Sequence, residues 1–221
     1  MNDEHYIRMA NHDDLARVKR VDDLAFAEHQ GITRRELEQL LEHGAIFMLF
    51  SRDNTLIGES QVLLATIPEI PHELAADEAY YYGTGIHPTH QGNGYGGLLA
   101  DKQDEFAVSQ GKKVAKLTLR VENYASMKLR FDKGFLIVEY QSDFYGPVEE
   151  DGARVLMTKQ LLEEPIIHWD NITEVPVNFS NAKGAVDLTA HAQVQRLLSD
   201  GHKGFSITRA GILFGRESTG R

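Results

Sequence analysis

The chain has no cysteine in its 221 residues. This absence excludes disulfide bonds, thiolate metal sites and catalysis by a protein thiol. No apolar run approaches the roughly 20 residues that a membrane-spanning helix needs. The opening residues MNDEHYIRM are too polar for a secretory signal. We therefore expect a cytoplasmic protein with no membrane partner.

Basic residues are also scarce, since 23 lysines and arginines stand against 33 acidic residues and the formal net charge is −10. A nucleic-acid partner is not expected, because phosphate binding calls for a basic patch. An acidic surface attracts cationic substrates such as amines, although salt screens that attraction. Acidic surfaces also simply keep proteins soluble, so charge alone does not assign a substrate.

Hydrophobic periodicity predicts the element order β-α-α-β-β-β-loop-α-β-α-β-β for most of the chain. The first helix is expected to be capped by Asp13 or Asp14, and the second by a capping box of Thr33 and Glu36. The predicted strands cover residues 5–9, 45–51, 56–67, 79–87, 114–121, 135–146 and 153–161. We therefore expect a mixed α/β fold rather than a helical bundle or a β-sandwich.

The pattern of apolar and polar residues changes after residue 162. A helix is predicted over residues 188–198, followed by two strand-like segments. These residues are few for an independent hydrophobic core. We therefore predict a main domain at 1–162 and a small α+β extension at 163–221 that packs on that domain or on a partner subunit.

A glycine-rich stretch, IHPTHQGNGYGGLLADK, joins a predicted strand to a predicted helix at residues 86–102. Gly92, Gly94 and Gly97 spell G-x-G-x-x-G, the dinucleotide-binding fingerprint. Read in another register, Gln91, Gly94 and Gly96 spell Q-x-x-G-x-G. Both kinds of loop hold a pyrophosphate on backbone amides at a helix start. We expect the glycines of this loop to supply the positive φ angles of a tight turn.

Topology separates the two registers. A dinucleotide fold has its fingerprint in the first βαβ unit of a mostly parallel sheet, whereas this loop follows about 85 residues of other elements. Glu122, at the end of the next predicted strand, would then be the ribose-binding acid. A dinucleotide-dependent oxidoreductase therefore stays as the less favoured alternative.

Several ordered segments together resemble the GCN5-related N-acetyltransferase (GNAT) family. The resemblance covers about residues 4–162 and rests on an ordered set of motifs. These are Ile7-Arg8 before an acid-capped helix, Ile86-His87-Pro88, the Q-x-x-G-x-G loop, a helix from Asn123 to Gly134-Phe135, Tyr145-Gly146, and Met157-Thr158-Lys159-Gln160-Leu161.

This resemblance implies the acyl-CoA N-acyltransferase fold, with a mixed, mostly antiparallel sheet that is splayed at its central strands. It implies transfer of an acetyl group from acetyl-CoA to a primary amine by direct attack in a ternary complex, without a metal. The acceptor is a small-molecule amine or a protein amino group, and sheet-edge homodimers occur in the family. The implied cofactor-binding residues are Ile86, Gln91, Gly92, Asn93, Gly94, Tyr95, Gly96, Gly97 and Asn123.

The general acid and base are less clear than the cofactor loop. Many family members carry a catalytic tyrosine where this chain has Arg130. Tyr124 and Tyr145 are the candidate substitutes for the acid. Some members carry a glutamate base where this chain has Tyr80, which is the third candidate catalytic residue. A water relay from the backbone or from Glu59 is the alternative to a dedicated base. A non-catalytic acyl-CoA-binding sensor also stays open because of this departure.

Strand alternation makes one further prediction about the central strand. Residues two apart point to the same face of a strand. Tyr80, Tyr82 and Thr84 should therefore share a face with Ile86, and Tyr81 should point to the other face.

Overall fold

The computed structural model of the chain describes residues 5–26, 31–68, 73–146, 148, 152–163, 166–179 and 186–218. The chain forms two compact units, residues 1–115 and 116–221. Parts of the loops predicted at 68–78 and around 147–152 lie outside the described residues. Within the described residues, no helix is both long enough and apolar enough to span a bilayer.

The first unit is an antiparallel sheet with helices packed on it. Its described elements are β1 (His5–Met9), α1 (Leu15–Ala25), α2 (Arg34–His43), β2 (Gly44–Ser51), β3 (Leu56–Leu63), β4 (Glu78–Ile86) and α3 (Tyr95–Ser109). The four strands lie in the order β1-β2-β3-β4, and each pairs antiparallel with its neighbour. Strand β5 (Val114–Leu119) crosses the boundary between the units.

Local signals explain the starts of the first two helices. The side chain of Thr33 accepts a hydrogen bond from the amide of Glu36, and the carboxylate of Glu36 accepts one from the amide of Thr33, so the predicted capping box is confirmed. The prediction for α1 is confirmed in position only, because Asp14 is the N-cap residue of α1 but its side chain makes no capping hydrogen bond to that helix. Asn11 caps the short 3₁₀ turn that leads into the helix, and Asp14 closes a capping box with it. The carboxylate of Asp14 also receives two hydrogen bonds of 2.7 Å from Arg8.

The core of the first unit lies between its sheet and the two N-terminal helices. Its buried members come from α1, α2, β2, β3 and β4, with Ile32 and Ile67 from the connecting segments. Burial of such side chains stabilises a fold by roughly 1.5–3 kcal/mol each before entropy costs. They are Leu15, Val18, Val21, Ile32, Leu37, Leu40, Ile46, Met48, Phe50, Leu56, Leu63, Ile67 and Tyr80.

A β-bulge interrupts the pairing of β3 with β4. Gln61 lies opposite Gly83 and Val62 lies opposite Tyr81, so Tyr82 is the extra residue of the bulge. A bulge leaves backbone carbonyls without their usual ladder partners. The buried side-chain amide of Gln103, on α3, donates hydrogen bonds to the carbonyls of Gln61 (3.0 Å) and Gly83 (3.2 Å). This side chain therefore stabilises the irregular point of the strand.

The bulge overturns part of the alternation predicted for β4. Tyr80 and Tyr82 do point to the side of α1 and α2, whereas the hydroxyl of Tyr81 donates to Asp104 on α3. The prediction that Ile86 shares a face with Tyr80 was wrong. Ile86 packs over Gly58 on the α3 side, because the extra residue shifts the alternation by one.

The second unit contains the remaining strands and two helices of the described residues. They are α4 (Tyr124–Asp132), β6 (Leu136–Gln141), β7 (Arg154–Gln160), β8 (Trp169–Pro176), α5 (Leu188–Ser199), β9 (Lys203–Ile207) and β10 (Gly211–Glu217). The strands lie in the order β5-β7-β6-β9-β10-β8. The predicted glycine stop of α4 is confirmed, since Gly134 follows the helix with a φ of 82°.

The C-terminal extension continues this sheet. Strand β9 pairs antiparallel with β6, and β10 lies between β9 and β8. Strand β8 was not predicted, because most of its side chains are exposed and Asn171 interrupts it with a φ of 52°. An edge strand of this kind lacks the apolar alternation by which strands are recognised. The boundary at 162/163 stays a prediction.

Candidate functional site

The glycine loop connects the end of β4 to the start of α3. Gly92 and Gly94 have φ angles of 78° and 80°, which a residue with a Cβ atom adopts only at a cost. Gly94 is the N-cap of α3 and has no side chain to satisfy the first helical amides. Gly96 and Gly97 were expected to have positive φ as well, and this was wrong. Both lie in the first turn of α3 with ordinary helical geometry.

Side-chain hydrogen bonds hold the loop in this shape without using its helix-start amides. The amide of Gln91 donates to the carbonyl of Ile86 at 3.0 Å, across the turn from the strand end. Asn93 donates to the carbonyls of His90 (3.1 Å) and Gln91 (3.2 Å). The first amides of an α-helix generally lack a partner within the helix, although in α3 the amide of Gly97 donates to the carbonyl of Gly94 at 2.9 Å. Together with the helix dipole, such amides favour an anion.

Tyr95, the first residue of α3, is fixed by aromatic neighbours. Its hydroxyl lies 2.8 Å from His5 Nε2, and the two rings are 4.7 Å apart. The ring of His90 is 6.4 Å from Tyr95 and 5.8 Å from His87. No cluster of three metal-ligating side chains occurs within the described ranges.

A comparison with known protein families assigns the chain to one of them. The profile of the Acetyltransferase (GNAT) family matches residues 12–130, which is more than half of the chain. The chain belongs to this family. It is therefore an N-acetyltransferase. No curated protein sequence matches the chain.

Solved structures agree with the fold of an acetyltransferase. The ribosomal-protein-S18-alanine N-acetyltransferase from Escherichia coli is 17% identical with a TM-score of 0.59, covering 73% of this chain and 97% of that one. The Salmonella typhimurium protein yncA, with its cofactor acetyl-CoA, is 18% identical with a TM-score of 0.54, covering 74% and 99%. An Arabidopsis thaliana protein in complex with the bisubstrate analogue CoA-Ac-MVNAL is 14% identical with a TM-score of 0.59, covering 71% and 99%. The predicted fold class is confirmed.

The three candidate tyrosines of this acetyltransferase have different surroundings. Tyr80 is 3% exposed and packs in the core with Tyr82, whose ring is 6.2 Å away. Tyr124 begins α4, and its ring packs on Phe179 at 5.1 Å. Tyr145 is 62% exposed in the turn after β6. Burial in an apolar core makes Tyr80 the least accessible of the three to a substrate.

Asn123 and Arg130 lie at the two ends of α4 in the second unit. The side chain of Asn123 caps the helix by accepting a hydrogen bond from the amide of Ser126 at 3.2 Å. Arg130 is 3% exposed, and its guanidinium lies 5.6 Å from the ring centre of Phe135. Arg130 therefore packs inside the unit, whereas a general acid needs access to the substrate.

Glu122, the acid that a dinucleotide site would need, has structural partners instead. Its Oε1 atom accepts hydrogen bonds of 2.9 Å from the amide of Asp187 and from His191 Nε2. The hydroxyl of Tyr140 donates to Nδ1 of the same imidazole at 2.7 Å. These bonds attach α5 to the segment before Asn123. Burial of Glu122 acts to raise its pKa, but the hydrogen bonds from His191 and Asp187 outweigh burial, and the pKa is lowered overall.

Acidic side chains on the α1–α2 side of β4 were not predicted as a group. Glu36 accepts a hydrogen bond from the hydroxyl of Tyr82. Burial works to raise the pKa of Glu36, and the hydrogen bonds from Thr33 and Tyr82 lower it overall. Asp22 is 3% exposed on the apolar face of α1. The sequence did contain a signal that Asp22 is buried. It lies four residues after Val18, and residues four apart share a helix face.

Proposed function

We propose that this acetyltransferase moves the acetyl group of acetyl-CoA to a primary amine by direct attack in a ternary complex. The observation that carries this proposal is the left-handed turn at Gly92 and Gly94, placed between the end of β4 and the amides of α3. An amide-lined helix start suits the pyrophosphate of CoA. A chain without cysteine has no thiol on which to carry the acetyl group, and this also favours direct attack.

The cofactor would bind along the loop and the end of β4. The backbone from Gln91 to Gly97, including Asn93, Tyr95 and Gly96, would hold the pyrophosphate. The backbone at Ile86 would pair with the pantetheine arm in the manner of an added strand. Asn123 is proposed as a side-chain contact to the cofactor. The half-buried backbone between Tyr82 and Ile86 is proposed to donate an N–H to the thioester carbonyl, where negative charge develops.

The departing thiolate needs a proton. Tyr145 is the stronger of the two tyrosines considered for this acid, because its side chain is exposed. Tyr124 is half-buried against Phe179, and Tyr80 is almost wholly buried. Replacing each with phenylalanine separates the roles. Loss of turnover with an unchanged dissociation constant for acetyl-CoA would assign the acid.

The acceptor is proposed to be a small-molecule amine or a protein amino group. One similar structure is the ribosomal-protein-S18-alanine N-acetyltransferase, and another is in complex with the bisubstrate analogue CoA-Ac-MVNAL. These names support testing peptide N-termini beside small amines. A cytoplasmic location and a homodimer complete the proposal.

A thermal-shift titration with acetyl-CoA, CoA and NADH in parallel tests the cofactor. A ligand at about 100 times its dissociation constant stabilises by roughly 2.7 kcal/mol, a shift of several degrees for this size. We expect stabilisation by acetyl-CoA and CoA only, and stabilisation by NADH alone would refute the proposal. Amine-dependent release of the CoA thiol tests turnover. Binding without turnover for any amine or peptide would favour a sensor.

A further inference from the structure

Asn123, the side chain proposed to contact the cofactor, lies in a tight turn between β5 and α4. Its backbone amide donates to the carbonyl of Arg120 at 3.2 Å. Glu122, directly before it, is only 1% exposed. Turns normally lie at the surface, and a carboxyl group is almost never fully buried unless it is paired. The buried side chain of this turn therefore needs partners, and it finds them in the C-terminal extension.

The start of α5 holds Glu122 with two hydrogen bonds. Its Oε1 atom accepts them, both at 2.9 Å, from the backbone amide of Asp187 and from His191 Nε2. His191 is 4% exposed, and the hydroxyl of Tyr140 on β6 donates to its Nδ1 atom at 2.7 Å. Because both ring nitrogens are engaged, the imidazole has one orientation and directs its Nε2 proton at the carboxylate.

Asp187 links this contact to a second one. Its Oδ1 atom caps α5, and its Oδ2 atom accepts a hydrogen bond of 3.1 Å from the amide of Asn178. The next residue, Phe179, packs its ring on Tyr124 with 5.1 Å between the ring centres. The extension therefore contacts the residues on both sides of Asn123 in the sequence.

Stability alone does not explain why the contact with Glu122 is polar. Replacing buried charged groups with apolar side chains of similar volume is often neutral or stabilising, so an apolar contact would attach α5 equally well. Directional hydrogen bonds fix the position of the group that they hold. Glu122 is joined to Asn123 by one peptide bond, so the bonds to Glu122 also fix the start of α4.

The side chain of Asn123 is suited to benefit from this. Its Oδ1 atom accepts the capping hydrogen bond from the amide of Ser126 at 3.2 Å. The cap sets the direction of the side chain and leaves its amide nitrogen to donate to a carbonyl of the cofactor. A small displacement of the turn would move that donor, and a misplaced group loses much of its effect on a bound substrate.

We propose that α5 is part of the acetyl-CoA site, and that His191 and Asp187 are positioning residues that hold Asn123 where it meets the cofactor. Tyr140 keeps His191 in the required orientation. This inference rests on the proposed function, in which Asn123 contacts the cofactor. α5 lies beyond residues 12–130, which match the GNAT profile, so the contact involves a part of this chain that the match does not cover.

A double-mutant cycle on acetyl-CoA binding tests the inference. His191→Leu removes both hydrogen bonds of the imidazole, and Asn123→Ser removes the side-chain amide but keeps an oxygen that can cap α4. We expect His191→Leu to raise the Kd for acetyl-CoA by about 5–50-fold, as for coupled neighbours. In the Asn123→Ser background the same change should have little further effect, because it acts through the missing amide. Equal increases in both backgrounds, or none in either, would overturn the inference.

Kinetics separate positioning from general damage to the fold. With positioning, the KM for acetyl-CoA should rise, while kcat at saturating acetyl-CoA and the KM for the amine stay near the wild-type values. His191→Gln should recover most of the affinity, because its side-chain nitrogen can donate to Glu122 in place of Nε2. A lower kcat with an unchanged KM for acetyl-CoA would contradict the positioning role.

Thr208→Val is the matched control within the same extension. It removes hydrogen bonds in the turn between β9 and β10, where the hydroxyl donates to Glu174 at 2.7 Å and accepts from the amides of Ala210 (3.0 Å) and Gly211 (3.1 Å). We expect a lower melting temperature and an unchanged Kd for acetyl-CoA. The same loss of affinity as in His191→Leu would mean that any weakening of the extension has this effect, which would overturn the specific role of His191.

Tyr140→Phe replaces His191→Leu in the cycle if the leucine variant does not fold, since it removes one hydroxyl and keeps the ring. A rise in Kd that disappears in the Asn123→Ser background would support the inference, and an unchanged Kd would overturn it. Failure of the proposed function gives a different result. A wild type that does not bind acetyl-CoA, or an Asn123→Ser variant with wild-type affinity, would refute the proposed cofactor contact and the role of α5 with it.

Discussion

Alanine at two glycines of the cofactor loop should have opposite effects on stability. Gly94 has a φ of 80°, whereas Gly97 lies in the first turn of α3. A Cβ atom on either residue would meet nothing within 4 Å, so the two effects are conformational and not steric. The left-handed conformation costs an L-residue roughly 1–2 kcal/mol. Alanine in a helix is more favourable than glycine by roughly 0.5–1 kcal/mol.

The two variants should therefore differ in free energy of unfolding by about 1.5–3 kcal/mol. Gly94→Ala should lower the melting temperature by several degrees, and Gly97→Ala should raise it slightly, since about 1 kcal/mol corresponds to 2–4 °C at this size. Both should bind acetyl-CoA more weakly. In Gly94→Ala the turn relaxes, and in Gly97→Ala a methyl group enters the open space proposed for the cofactor.

Thermal unfolding and calorimetric titration with acetyl-CoA measure both quantities on the same samples. Gly97→Ala is the informative variant. If this protein is more stable than wild type and yet binds acetyl-CoA more weakly, damage to the fold cannot explain the loss of affinity. Unchanged affinity in Gly97→Ala would place the pyrophosphate elsewhere. Full stability in Gly94→Ala would mean that the loop does not need its left-handed turn.

Three other substitutions test the fold around the site. The pKa of Asp22 is about 6 in the folded protein and near 3.9 when unfolded, so the stability of wild type should fall as pH rises from about 4 to 6. Asp22→Asn should lack this loss in urea titrations, and parallel curves would contradict the raised pKa. Gly44→Ala would place a Cβ atom 1.8 Å from the carbonyl oxygen of Val62. We expect a loss above about 3 kcal/mol or no folded protein, and a normal melting curve would refute that close approach. Asp187→Ala removes the N-cap of α5, whose side chain accepts a hydrogen bond of 3.1 Å from the amide of Ala190. The free energy of unfolding in denaturant should fall by about 1 kcal/mol. An unchanged value would show that α5 starts without this cap.

Two predictions that rest on neighbouring residues agreed with the structure. The capping box at Thr33 depends on four consecutive residues, and the turn at Gly92 and Gly94 depends on the backbone freedom of glycine. Two other predictions of this local kind did not agree. Asn11 was missed as a cap because a 3₁₀ turn precedes α1, and Gly96 was misjudged because the helix starts earlier than the glycine run suggests.

The bulge in β4 shows why strand alternation alone was insufficient. Alternation follows from the pleat only while each residue has one partner on the next strand. Tyr82 has none, and Gln103 reaches from α3 to satisfy the carbonyls beside it. No pattern within β4 itself indicates this, because the partner is 20 residues from Gly83 in the sequence.

By itself the sequence determined the family, the order of the elements as far as β7 and the glycine turn before α3. The last two depend on the backbone preferences of nearby residues. The tertiary structure alone decided which buried carboxyls influence each other. Asp22 and Glu59 are far apart in the chain, and their pKa values depend on burial and on each other's charge. Burial and proximity are set by the packing of α1 on the sheet, which local sequence does not specify.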